Sequence, residues 1–236
     1  MLTGLAGTHG DSDSEMVEPV SSGRSRASLS AVARAWASLL ALWCTLALGA
    51  IAHAEPWAAP GDLSLRDDLQ LLADLGIIRA PLTSWPVPWA QIAEATLETP
   101  LDVTLRPYER AVLTRVQRRV REATRSGAVR SLRVSAQELP RRVRTFEYSP
   151  REEGELQGGW SWLGNRFAAN LTTTAVTSPE DDQTVRFDGS YGAVVLGNWM
   201  LSVGQFDRWW GPGWNGSLIF SNNARPVPAV SLDRNY

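Results

Sequence analysis

The chain reads as an α+β protein: an export leader, then a helical region, then strands of an outer-membrane type of β-barrel. Three observations predict this. An uncharged apolar run follows arginines near the start, a helical apolar period covers about residues 60–126, and alternating runs with unequal turns begin near residue 129.

In the leader, Arg24, Arg26 and Arg34 precede residues 35–51, AWASLLALWCTLALGAI, and Ala52-His53-Ala54 places small residues where a signal peptidase reads, predicting cleavage before Glu55. An N-terminal anchor is the competing reading, but 17 residues are short for a spanning helix, which needs about 20. The acidic stretch before Arg24 makes residues 1–54 a signal peptide with an atypical extension, and Met16 is an alternative start. Cys44, His9 and His53 all precede the cleavage point, so the exported part has no cysteine and no histidine. That excludes disulfides, thiolate or imidazole metal sites and histidine-based catalysis. No P-loop, dinucleotide fingerprint or calcium loop occurs, and no cofactor is expected.

Residues 55–128 form the helical region. Asp62 and Ser64 can cap LRDDLQLLADLGII, and Gly76 suits a left-handed C-cap. Trp89 to Leu97 is expected to form a second helix after the proline-broken PLTSWPVP, with Trp85-Pro86 and Trp89 as packing residues. A third runs from about Pro107 to Arg125, with Val112, Val116 and Val120 four apart. Its arginines are read as a solvated face. The formal net charge of -2 gives no support for a nucleic-acid partner, and contact with anionic headgroups or acidic polysaccharide is the alternative. All 23 basic residues are arginine, which reads as codon bias.

Residues 129–236 carry the strands. Val129 to Val134, 156–163, 166–177, 184–196 and 199–206 alternate, with hairpin chemistry expected at Gly164-Asn165 and Gly197-Asn198 and a longer polar loop, SPEDDQ, between. Short turns alternating with long loops suit an outer-membrane barrel. Val185, Phe187, Gly189, Tyr191, Ala193 and Val195 are expected on one face, opposite Arg186, Asp188, Ser190 and Gly192. A soluble sheet with one face on a core would give the same alternation.

The most informative stretch is DRWWGPGWNGSLIFSNNARPVPAV, residues 207–230. Arg208, Trp209, Trp210, Trp214, Asn222, Asn223 and Arg225 are the candidate polysaccharide-binding residues, because indoles stack on sugar rings while amides and guanidinium groups pair with hydroxyls and carboxylates. The same residues could equally anchor a barrel rim or join loops together. Gly211, Pro212 and Gly213 read as devices for a tight reversal beside the indoles.

Together with RDDLQLLADLGIIRAPLTSWPVPW (66–89), RTFEYSPRE (144–152) and VRFDGSYGAVVLGNWMLSVGQFDRWW (185–210), this stretch resembles the Wzi-type outer-membrane capsule assembly family, and WWGPG…SNNARP is its most specific part. The resemblance implies a barrel of roughly 18 strands with a periplasmic helical bundle. It also implies a lectin-like, non-catalytic protein that holds capsular polysaccharide at the cell surface and aids its attachment. Outer-membrane lipid and the capsule export machinery are the other implied partners. Only the first five or six strands are expected in residues 129–236, so the chain reads as an incomplete barrel. The alternatives are a porin-like barrel and a glycoside-active periplasmic enzyme, for which Asp188, Asp207 and Asp233 could supply two carboxylates.

Overall fold

The computed structural model describes residues 55–100, 105–179 and 181–235, so the expected leader lies outside the described residues. Three helices come first: α1 (Leu63–Asp74), α2 (Trp89–Leu97) and α3 (Pro107–Ala123). Helix α1 starts where the Asp62 carboxylate accepts the Leu65 N–H at 2.9 Å. It stops in a Schellman pattern: Gly76, at φ +73°, donates to the Ala73 carbonyl and Ile77 donates to that of Leu72, both at 2.9 Å. Helix α3 has Pro107 in its first turn, and the Glu109 carboxylate accepts the Arg106 N–H at 2.8 Å.

The apolar period of each helix meets the others in one core, where Leu69, Leu72, Ile92, Leu113, Val116 and Val120 are fully buried. The basic face of α3 is not uniformly solvated, which corrects the sequence reading. Arg115 forks onto the buried Asp68 of α1, and Arg119 pairs with Asp62 at its N-cap, so two of the expected surface charges lock α1 to α3. Arg118, Arg121 and Arg125 stay exposed.

Short strands tie the connections together. β1 (Trp57–Ala58) pairs with β3 (Val87–Pro88), and β2 (Ser84–Trp85) pairs with β10 (Trp209–Trp210). The remaining strands are β4 (Gly127–Ala136), β5 (Gly154–Leu163), β6 (Phe167–Thr177), β7 (Val185–Arg186), β8 (Tyr191–Leu196), β9 (Trp199–Gly204) and β11 (Ala229–Arg234). They form one antiparallel sheet in the order β11-β9-β8-β6-β5-β4, with β7 also on β6. Strands β4 and β11 are its two edges, so the sheet is not closed within the described residues. No helix among the described residues is long and apolar enough to cross a membrane.

Two turns refine the sequence reading. Leu163 opposes Ala168, and Gly164 donates to the Phe167 carbonyl at 2.8 Å, so the β5–β6 turn centres on Asn165-Arg166 rather than Gly164-Asn165. Gly197-Asn198 does form the centre of the β8–β9 turn, and Gly197 at φ +62° meets the demand of a primed turn for a left-handed first residue. Both tight turns lie at one end of the sheet. The connections 137–153, 178–184 and 205–228 lie at the other.

The expected single face over residues 185–195 is broken. Against β6, the register of β7 differs by one residue from that of β8: Thr174 opposes Arg186, whereas Asn170 opposes Tyr191. One extra residue is thus accommodated around Gly189, at φ +95°, whose absent side chain leaves room for Thr172. Because strand side chains alternate, that insertion exchanges the faces. Val185 and Phe187 point outward with Arg186 inward, and then Tyr191 and Ala193 point inward.

The outer face carries Trp160, Trp162, Leu171, Phe167, Trp199, Leu201, Val203, Val230 and Leu232, all exposed, with Phe167 57% and Leu232 60% accessible. The inner face buries Ser161, Thr172, Thr174, Arg186 and Ser202 at 8% or less. A soluble sheet would do the reverse, because apolar area left in water forgoes about 25 cal/mol per Å². Apolar side chains outside and polar ones inside suit hydrocarbon on one side and a wet lumen on the other.

Candidate functional site

The inner face, residues 59–65 and the long connections line a half-open cavity of about 950 Å³. Strands contribute Ser131, Gln157, Asn170 and Thr172 to its lining, and the connection 137–153 contributes Tyr148 and Arg151. Period-two alternation places these strand residues inward, and the Asn170 amide donates to the Gly189 carbonyl at 2.7 Å. Hydroxyls, amides and guanidinium groups around a wet cavity can exchange hydrogen bonds with a hydroxyl-rich ligand. Sequence reasoning missed this lining; the alternation that carries it was visible, but which face turned inward was not.

Long connections fold onto the helical core and are held there by the aromatic motif. Phe146 is fully buried, edge-on to Trp85 at 5.0 Å and to Trp209 at 5.7 Å. Its N–H donates to the Trp214 carbonyl at 2.9 Å, and the Tyr148 N–H donates to that of Gly61 at 3.0 Å. The buried Arg66 guanidinium sits 4.3 Å from the Phe146 ring centre and 4.7 Å from that of Trp214, and it donates to the Pro212 and Gly213 carbonyls. Burial without a carboxylate partner lowers its pKa. These contacts explain the GPG segment: it presents two carbonyls to one cation.

An ion lattice holds the connections at the cavity mouth. Arg186 pairs with Glu152 at 2.6 Å and Asp181 at 2.9 Å. Arg225 forks onto Asp188 and also reaches Asp181, and Arg151 pairs with Asp207 at 3.2 Å. Arg144 donates to the Ser149 carbonyl at 2.8 Å, and burial together with Arg151 pushes its pKa down to about 10. Burial pushes the Asp207 carboxyl above the usual carboxylate range, against the pull of Arg151 and Arg144.

The seven residues expected to contact polysaccharide are therefore largely occupied with one another's loops. Trp209 is fully buried, and its Nε1–H donates to the Gly213 carbonyl at 3.0 Å, so its face is closed to a sugar. Trp210 stands edge-on to Phe220 at 4.7 Å, and Trp214 covers Arg66; both remain partly exposed. Arg208 donates to the Ser231 hydroxyl at 2.7 Å and lies over Phe206. The buried Asn222 amide donates to the Phe146 carbonyl at 3.3 Å, Asn223 accepts the Arg144 N–H at 2.6 Å, and Arg225 serves the ion lattice. Of the seven, Asn222 borders the cavity. Asp188 and Asp207 both face it, each held by an arginine, while Asp233 is not among its lining residues. No group of three or more acidic, histidine or cysteine side chains among the described residues could hold a metal ion.

Hydrocarbon-type side chains outside and polar ones inside are the arrangement of an outer-membrane β-barrel wall. Comparison with known proteins narrows that reading. The family described as capsule assembly protein Wzi matches residues 122–236. A protein of Klebsiella pneumoniae described as an uncharacterized 55.8 kDa protein in the cps region is 29% identical over 189 residues, covering 79% of this chain and 36% of that protein. A solved structure described as Wzi, an outer-membrane protein involved in group 1 capsule assembly in Escherichia coli and a carbohydrate-binding β-barrel, is similar with a TM-score of 0.60 and 27% identity. That match covers 75% of this chain and 39% of the other. Residues 122–236 thus match the Wzi family, and about three quarters of the chain is similar to Wzi-type relatives. The chain spans less than two fifths of the length of these relatives.

Proposed function

We propose that this chain supplies the helical region and first wall strands of an outer-membrane protein that binds capsular polysaccharide at the cell surface and aids its attachment, without catalysis. The observation that carries the reading is the polar cavity behind an outward apolar wall, with its hydroxyl, amide and guanidinium lining. An N-terminal leader delivers the chain to the outer membrane, and the chain passes from the helices into the wall at its periplasmic end, where α3 leads into β4. The ligand is a hydroxyl-rich polymer, and the capsule export machinery is the partner that hands it over.

A glycoside-active enzyme would need one protonated and one ionised carboxyl free to reach the scissile bond. Asp188 and Asp207 are instead tied into arginine pairs that brace the loops. A porin would leave the lumen open, whereas here the connections 137–153 and 205–228 border it.

The test is retention of purified capsular polysaccharide by the chain refolded in detergent micelles. Replacing Gln157 and Thr172 by Leu and Val is expected to weaken retention at least tenfold, while Trp210→Ala leaves it within twofold. Retention unchanged in the cavity variant, or release of reducing ends from the polymer, would overturn the proposal.

A further inference from the structure

The tight-turn end of the sheet carries two features that polysaccharide binding does not use. The first is aromatic. Trp160 and Trp162 near the end of β5, Phe167 at the start of β6 and Trp199 at the start of β9 are all exposed on the outward face, within four residues of a tight turn. Indoles and phenyl rings at the end of barrel strands mark the level at which hydrocarbon gives way to headgroups.

The second feature is cationic. Arg166 sits in the β5–β6 turn, and Arg125 lies two residues before β4, whose first residue Gly127 opposes Leu163 at that same end. Arg121 is one helical turn further back, on the last turn of α3. Arg130 stands on the outward face opposite Trp160. All four are exposed, and no carboxylate pairs with any of them among the described residues. Arg106, Arg115, Arg119, Arg151, Arg186 and Arg225 all have such partners. Four arginines without a carboxylate partner thus lie where the aromatic belt ends, and a long stem lets each guanidinium reach past the belt into the headgroup layer.

We propose that this rim is a binding surface for the phosphates of anionic glycerophospholipids, with Arg125 and Arg166 as its central contacts and Arg121 and Arg130 beside them. Guanidinium groups match phosphate oxygens in a two-pronged geometry. Barrel turns of this length face the periplasm, where the leaflet is phospholipid, so the occupant is a phospholipid headgroup. The inference rests on reading the sheet as a membrane wall.

The experiment dilutes the full chain from urea into vesicles of phosphatidylcholine alone, or of phosphatidylcholine with phosphatidylglycerol, and measures the bound fraction by flotation. Each basic residue near an anionic surface contributes about fivefold to partition. Phosphatidylglycerol is therefore expected to raise binding of the wild type in a salt-sensitive manner, and the R125Q/R166Q variant to lose on the order of twentyfold of that gain. The R141Q/R142Q variant removes the same charge from the exposed connection 137–153 at the opposite end and is expected to keep the gain. Equal loss in both variants would overturn the rim site in favour of diffuse charge, and so would a wild type indifferent to phosphatidylglycerol. Failure to float with phosphatidylcholine vesicles at all would instead refute the membrane wall, and the rim with it.

Discussion

The helical unit and the sheet obey opposite solvents within one chain. In the helices the apolar stripe turns inward, so that Leu69, Leu113, Val116 and Val120 are fully buried and, Arg66 apart, the arginines point out or pair across helices. In the sheet Leu171, Trp199, Val203 and Leu232 point out while Thr172, Thr174 and Arg186 are buried. The same force acts in both: apolar surface leaves water. The difference is where the non-aqueous phase lies, inside the helical unit and outside the sheet. The aromatic motif belongs with the first pattern although it follows strands of the second, because Trp209 and Phe146 are inserted into the helical core.

That contrast can be broken most directly at its junction. Trp209→Ala removes a fully buried indole from the helical core and is expected to destabilise the helical unit by about 3–5 kcal/mol, read as a shifted urea midpoint in micelles. Trp199→Ala, on the outward face, is expected to leave that midpoint nearly unchanged. Next in size, Leu171→Arg places a charge in the middle of the wall and is expected to cost about 2–4 kcal/mol of folding into vesicles. The same change at the exposed Leu139, in a long connection, should cost little by the same measurement. A smaller effect is expected for Asp68→Asn, which takes the charge from beneath the Arg115 fork and should lower helical stability by about 1–3 kcal/mol in the same urea titration.

The smallest expected effect is a pH dependence. Burial pushes the Glu55 carboxyl up to about 7, above the usual carboxylate range, opposed by the attraction of Arg133. A carboxyl with a raised folded pKa holds its proton more tightly in the native state, so it favours folding below about 4.5 and loses that contribution as pH climbs to about 7. Stability is therefore expected to decline across that window, and Glu55→Gln to flatten the decline in thermal melts taken at stepped pH.

The helices were legible because their signals are local. The Asp62 cap, Gly76 and Pro107 act within one turn of themselves, and a period of 3.6 residues identifies the packed stripe without knowledge of its partner. Strands give a period but not a direction. The bulge at Gly189 shows why: Arg186 and Tyr191 both turn inward although they are an odd number of residues apart, a result set by pairing with β6. The candidate site was legible only as a concentration of indoles, amides and arginines. Nothing near Trp209 in sequence announces that Trp85 and Phe146, 124 and 63 positions earlier, will close over it.

Local chemistry in the chain determined the helix limits, the hairpin at Gly197-Asn198, the absence of histidine chemistry after residue 54 and the alternation that makes a two-faced wall. Tertiary structure decided which face of that wall meets water, which arginines are paired, and that Trp209 packs in a core instead of lying open to a ligand. The physical reason is range. Caps and turns are satisfied by neighbours a few residues away, whereas burial and ion pairing depend on groups that only the folded chain brings together.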